Sequence, residues 1–447
     1  MRFCLIATTF AFLFMVGAPM VSDAKLPDRP ELAIETAQAP STTTQLDQFI
    51  QTEMDLHPGQ SGFNLVKNGE QAFALRAMSA HLAERSLDVQ YYIWHNDTTG
   101  RLLARELLMA ANRGVKVRLL LDDLDARSNN FALASLDAHP NIQVRIFNPF
   151  NSRKGVFGKM WESLTQFKRI NHRMHNKNWI ADNRIAIAGG RNIGDEYFDA
   201  SDEVNFYDLD YAIIGPAVET LSTSFDKYWN SITVYPMTAL SPELVNSESL
   251  AQLEANATTL LNNDLQSPYV KVILESGQFN KIIQQQKSYQ WTSEWEILSD
   301  DPLKALKDKN ALQRSNVLSG FIHAVNSAES SIDLISPYFV PGKNGTTLLT
   351  DAQANGRTVS VLTNSLAAND VVAVHGGYSK YRKPLLKGGV KLYELKPSMS
   401  AKSSNSWFGS SGASLHAKSG VFDHQNVYVG SFNLDPRSVS LNCEQGI

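Results

Sequence analysis

Two short stretches of the chain carry the same spacing of reactive side chains. His175-Asn176-Lys177-Asn178-Trp179-Ile180-Ala181-Asp182 and His416-Ala417-Lys418-Ser419-Gly420-Val421-Phe422-Asp423 both read His-x-Lys-x-x-x-x-Asp, with the histidines 241 residues apart. In a strand, residues i and i+2 share a face, so each His points the same way as its Lys. After each motif a second apolar run, Ile185 to Ala188 or Val427 to Val429, ends at glycine and presents an asparagine, Asn192 or Asn433. Two imidazoles, two ammonium groups and two amides brought face to face suit a phosphodiester. Lys177, Lys418, Asn192 and Asn433 can bind the nonbridging oxygens and stabilise a pentacoordinate transition state. One imidazole can attack phosphorus while the other protonates the leaving alcohol and later deprotonates the incoming one. The lysines neutralise the charge, so this scheme needs no metal and no cofactor. Triad logic asks for a carboxylate on the second ring nitrogen of each histidine. Asp208 for His175 and Glu444 for His416 stand at matching offsets within the two halves.

These residues must be positioned by a repeated scaffold. Ser86 to Trp94 is β-rich, a helical pattern follows through Leu103, Leu107 and Ala110, and Val115 to Leu121 gives a second, nearly continuous apolar strand. That is a β-α-β unit of the kind parallel sheets require. The pattern returns from Ser331 to Leu362, with Asp88 and Asp333 245 residues apart, and a repeat at fixed spacing organises the whole reading. The expected fold class is α/β: two pseudo-symmetric α/β/α repeats, each a mixed, largely parallel sheet flanked by helices, packed with the active site at their interface. The expected divisions are a signal peptide or membrane anchor at 1–24, a polar linker at 25–58, an N-terminal domain at 59–235, a connecting region at 236–300 and a C-terminal domain at 301–447. Met1 and Arg2 followed by an apolar run to Val21 and small residues at 22–24 form the signal pattern, which implies export.

Composition narrows the classes. The 447 residues are 43% apolar and 19% charged, which excludes a disordered chain. Two cysteines, Cys4 and Cys443, cannot build a disulfide framework or a thiolate zinc site. A net charge of -4 gives no overall attraction to nucleic acid.

The paired motifs, together with Gly189 to Phe198 and Gly430 to Ser438, resemble the phospholipase D superfamily. Tyr91 to Asp97, Leu119 to Asp123, Leu362 to Leu366 and Tyr393 to Pro397 narrow the resemblance to bacterial cardiolipin synthases of the C type. The resemblance runs from about Ser61 onward and implies a covalent phosphohistidine intermediate. It also implies transfer of a phosphatidyl group from one phospholipid to a hydroxyl of phosphatidylglycerol, giving cardiolipin at the inner membrane, on its periplasmic or exported side. His175, Lys177, Asp182 and Asn192 then pair with His416, Lys418, Asp423 and Asn433. By the same resemblance His175 is the nucleophile, His416 the acid and base, and Asp182 and Asp423 brace a loop. The implied partners are phosphatidylglycerol, other phospholipids and an anionic membrane surface, without nucleic acid; no protein partner can be named from the sequence. An exported phospholipase-type or nuclease-type hydrolase and an inactive lipid-binding homologue are the competing readings.

Local charge fits an anionic substrate. Residues 151–178 hold seven Lys or Arg against Glu162, and 380–402 hold seven against Glu394. Each run precedes a motif, which favours lipid headgroups over an ordinary solvated face. Aromatic and apolar residues from Phe150 to Phe167, and Trp407 with Phe408, are candidates for contact with acyl chains. Tyr91, Tyr92 and Trp94 read as sheet core, His95, His172 and His375 as structural, and Asp122-Asp123 as a turn or an acceptor site. The second repeat lacks the strand residues and helix that follow Asp208 in the first, which predicts a frayed segment around Glu444.

Overall fold

A computed structural model describes residues 26–151, 167–275, 289–306, 315–369, 372–396 and 414–447. The expected signal segment, the apolar residues between 152 and 166, and Trp407 with Phe408 lie outside them. The strands of the N-terminal half are β1 (Ser61–Val66), β2 (Ser86–Tyr91), β3 (Lys116–Asp122), β4 (Ile142–Phe147), β5 (Asn178–Ala181), β6 (Ile185–Gly189), β7 (Phe206–Tyr207), β8 (Asp210–Ile214), β9 (Val234–Pro236) and β10 (Gln290–Thr292). All but β7 join one nine-stranded sheet in the order β10-β1-β8-β6-β5-β2-β3-β4-β9. The strands of the C-terminal half are β11 (Leu298–Ser299), β12 (Ser331–Ile335), β13 (Thr358–Asn364), β14 (Lys391–Leu395), β15 (Ser414–Leu415), β16 (Ser419–Phe422), β17 (Asn426–Val429) and β18 (Gln445–Gly446). Five of these form the second sheet, β14-β13-β12-β16-β17.

The two sheets repeat one plan. In each, three parallel strands, β2-β3-β4 or β12-β13-β14, are continued by an antiparallel pair that carries the His-Lys motif and its return, β5-β6 or β16-β17. The parallel character read from the β-α-β units belongs to those triplets, and antiparallel strands extend them into mixed sheets. Helices α1 (Gln45–Leu56), α2 (Gly69–Leu82), α3 (Thr98–Asn112), α4 (Asn130–Asp137), α5 (Pro216–Trp229), α6 (Ser247–Leu265), α7 (Asn316–Ser327), α8 (Gly342–Ala354), α9 (Val372–Lys387) and α10 (Pro436–Ser440) surround them. Helix α3 shows why such segments fold: Asp97 accepts from the Gly100 amide as its N-cap, and Leu103, Leu107 and Ala110 lie buried along one face.

Two expectations need correction. Residues 26–56 are not a free linker. Arg29 Nε donates to the Val234 carbonyl at 2.7 Å, Glu35 accepts from Trp229 and pairs with Arg145, and Ala37 N donates to Asp226. A capping box between Thr44 and Asp47 starts α1, which buries Leu46 and Ile50. The second correction is at Glu444, which is not frayed. Its main chain exchanges bonds with Asp300, β18 pairs with β11, and Ile447 exchanges both backbone bonds with Val429. An extended segment is held in place when it finds ladder partners on both sides.

Candidate active site

Each motif sits where a strand of one half runs beside a segment of the other. Strand β15 pairs in parallel with β7, and the amides of His416 and Ala417 both donate to the Tyr207 carbonyl at 2.9 Å. The counterpart is a parallel bridge between Met174 and Cys443, where His175 N donates to the Cys443 carbonyl at 2.8 Å. The next residue on each partner segment is a carboxylate. Asp208 therefore reaches His416 Nδ1, at 2.5 Å, and Glu444 reaches His175 Nδ1, at 2.8 Å. The within-half assignment read from sequence offsets is overturned: the carboxylates are exchanged between the halves, because the ladders that place them are inter-half ladders. Either carboxylate fixes its imidazole with the proton on Nδ1 and leaves Nε2 for phosphorus.

The surroundings are dry. His175, Lys177, Asn192, Asp208, His416, Lys418, Asn433 and Glu444 are all at most 6% exposed. Burial pushes His175 down to about 4, with Lys177 adding to the effect, and His416 is shifted down by burial and by Lys418. Glu444 and Asp208 are held below the usual carboxylate range by their imidazoles, against the cost of burial. Both pairs are therefore a neutral imidazole on an ionised carboxylate at neutral pH, which leaves a lone pair on Nε2. Burial, reinforced by Lys418, brings Lys177 down to about 7. Its ammonium donates to the His175 carbonyl at 2.7 Å, and Lys418 makes the equivalent bond to the His416 carbonyl.

The two halves differ in detail. Asn192 accepts from Ile93 N and donates one of its two amide hydrogens to the Tyr197 hydroxyl, whereas the buried Asn433 Oδ1 has no partner among the described residues. Ser431 Oγ donates to Glu444 at 2.5 Å, while the position facing Asp208 is Gly190, where any side chain would collide with that carboxylate. Asp182 accepts from the amides of Glu84, Arg85 and Ser86, and Asp423 from those of Glu329, Ser330 and Ser331. Both aspartates thus tie the tip of the motif hairpin to the start of the central strand, and neither faces the imidazoles.

Tyr92, read from the sequence as sheet core, lies at the site instead, as do Tyr197 and Phe206, which the sequence reading did not single out. Tyr92 meets His175 edge-on at 5.0 Å, and Tyr197 and Phe206 flank His416 at 5.2 Å each. Alternation was the available signal, since Tyr91 points into the core, bonded to Arg76, and Tyr92 must face the other way. Asp122 anchors the chain before His175 through Met174 N and Arg173. His172 packs its ring nitrogens against the carbonyls of Leu441 and Pro302, joining the halves, and His95 pairs with Glu196.

Two pseudo-symmetric α/β halves that contribute a His-Lys pair each to one buried centre define a phospholipase D-like protein. The family described as "Cardiolipin synthase, PLD-like domain" matches residues 78–229 and 321–447, and the chain belongs to it. Cardiolipin synthase C of Escherichia coli is 42% identical over 393 residues, covering 87% of this chain and 81% of that protein. An uncharacterised protein of Helicobacter pylori is 33% identical, covering 91% and 79%. The crystal structure of phosphatidylserine synthase from Haemophilus influenzae matches with a TM-score of 0.56 at 13% identity, over 89% of this chain and 86% of that one, and shares the fold.

The shifts set a pH profile. With His175 in the nucleophile role that the resemblance implies, its imidazole, lowered to about 4, has to be neutral to attack, and kcat/KM is then expected to rise as pH increases through 4. On the alkaline side two cations are lost, the Lys177 ammonium, lowered to about 7, and the His416 imidazolium, also shifted down by burial and Lys418, so kcat/KM falls as pH increases up to and through 7. Bound phosphate favours the charged lysine, and the alkaline limb of kcat is expected at higher pH than that of kcat/KM. A profile on a soluble phosphodiester checks this; a flat kcat/KM between pH 6 and 9 would contradict it.

Proposed function

We propose that the chain is a phosphatidyltransferase that makes cardiolipin from phosphatidylglycerol and a second phospholipid. The crossed pairing of each imidazole with the other half's carboxylate supports this most directly, because it equips two histidines for complementary roles at one phosphorus. Nε2 of His175 attacks, the bond from phosphorus to the leaving glycerol oxygen breaks, and His416, which takes up a proton on Nε2 when the anionic phosphodiester binds beside it, gives that proton to the leaving oxygen. His416, now neutral, takes the proton from the incoming hydroxyl, whose oxygen bonds to phosphorus as the nitrogen–phosphorus bond breaks. Lys177, Lys418 and Asn433 hold the nonbridging oxygens through both steps.

A membrane surface suits the outer face of α9 and β14. Lys380, Arg382, Lys383, Lys387, Lys391 and Lys396 are exposed there, with Leu386 and Tyr393 each 55% exposed among them. Cations interspersed with apolar side chains fit an anionic leaflet. Among the described residues no helix is long and apolar enough to cross a membrane. Attachment at the envelope's inner membrane, from the exported side, would therefore use this face together with the segment at 1–24.

Incubation with phosphatidylglycerol, with and without phosphatidylethanolamine, followed by separation of the lipids, tests the reading. Cardiolipin is the expected product. Phosphatidic acid as the sole product would replace the transferase with a hydrolase.

A further inference from the structure

A pocket of about 280 Å³ beside the catalytic centre is lined by three arginines, Arg127, Arg173 and Arg437, together with Tyr92 and Phe150. Tyr92 forms the shared wall: its ring also meets His175 at 5.0 Å and lies 5.3 Å from the Lys177 ammonium. Arg127 and Arg173 both stack on Phe150, at 4.5 and 4.3 Å from the ring centre. Arg173 is 1% exposed, and its bonds are only partly filled. Nε donates to the Ile170 carbonyl, Nη1 to Asp122 and the Asn148 carbonyl, and the buried Nη2 has no acceptor among the described residues. Of the neighbouring carboxylates, Asp122 is spent on Arg173 and on backbone amides, and Asp123 accepts from Phe150 N. Arg127 makes no ion pair among the described residues, and Asp435, the carboxylate whose charge the exposed Arg437 meets, accepts from the backbone amides of Arg437 and Ser438.

Three guanidinium groups around one small pocket repel one another unless an anion joins them, and an unfilled buried N–H costs free energy until an acceptor arrives. Guanidinium forks match phosphate oxygens in geometry as well as charge. We infer that this pocket binds the phosphate of the acceptor phospholipid during the second half-reaction, an assignment that rests on the transferase reading above. In phosphatidylglycerol a single glycerol joins the phosphate to the attacking hydroxyl. Holding that phosphate one aromatic ring away from His175 aims the hydroxyl at the phosphohistidine. Water carries no such handle, so the pocket raises transfer relative to hydrolysis by positioning one acceptor.

The test uses soluble acceptors that differ in the handle alone: glycerol, and glycerophosphoglycerol, which is phosphatidylglycerol without its acyl chains. With phosphatidylglycerol vesicles as donor, the full-length enzyme is given both alcohols in isotopically labelled form, since transfer to glycerol regenerates phosphatidylglycerol itself, and the ratio of their labelled phosphatidyl products is measured. The wild type is expected to favour glycerophosphoglycerol by tenfold or more. Arg437→Gln and Arg127→Gln should each lower that ratio about tenfold, Arg437→Lys should restore part of it, and Lys116→Gln, an exposed change at the opposite end of β3, should leave it alone. A ratio that stays the same in both glutamine variants, or a wild type without preference, overturns the subsite and leaves the transferase reading standing. Phosphatidic acid alone from the wild type removes both.

Discussion

Glu444→Gln is expected to lower kcat by about 10³- to 10⁴-fold, on the scale seen when the orienting carboxylate of a histidine triad is made neutral. The reason is local. Glu444 is fully buried, lies 2.8 Å from His175 Nδ1 and is held by Ser431. An amide there can present N–H to the imidazole and stabilise the wrong tautomer, with the proton on Nε2 and no lone pair for phosphorus. Glutamine keeps the volume, so the thermal midpoint should move far less than the rate. Turnover of phosphatidylglycerol and a melting curve together decide the matter. A variant within tenfold of wild type would mean that the carboxylate does not orient the nucleophile.

Removing either imidazole should abolish turnover of phospholipids, yet the two losses differ in kind. His175→Ala leaves no nucleophile, so no covalent phosphoryl-enzyme forms with any diester. His416→Ala removes only the proton donor, and a substrate whose leaving group needs no proton, such as a nitrophenyl phosphodiester, should still load His175. The expected record is one equivalent of nitrophenolate released in a burst by His416→Ala, followed by a stall, and no burst from His175→Ala. The reverse pattern would exchange the two roles. Bursts from both variants would show that either imidazole can attack.

The sequence was informative where a residue type and its spacing recur. The two His-x-Lys-x-x-x-x-Asp stretches and the β-α-β units that hold them could be aligned on each other, and the structure brings both motifs to one buried centre. What could not be read was which segment of one half lies beside which segment of the other. Asp208 and Glu444 were visible as carboxylates, but their exchange follows from β15 pairing with β7 and from Met174 bridging to Cys443, contacts that leave no trace in local periodicity. Residues 26–56 escaped for another reason. Their proline, threonine and glutamine content resembles a linker, while a few specific bonds from Arg29, Glu35 and Asp47 hold the segment down. Tyr92 was hidden by its neighbours, since an aromatic run at a strand end supplies both core and site.

The crossed ladders also order events during biosynthesis. Glu444 lies beyond both sheets in the chain, so the imidazole at position 175 acquires its partner only after the second half has emerged and docked. A nascent protein with its first half already folded holds an unaligned, idle histidine. Chemistry on the surrounding lipid is thereby expected to wait until assembly is finished, and a chain cut short between the halves is expected to turn over no phospholipid.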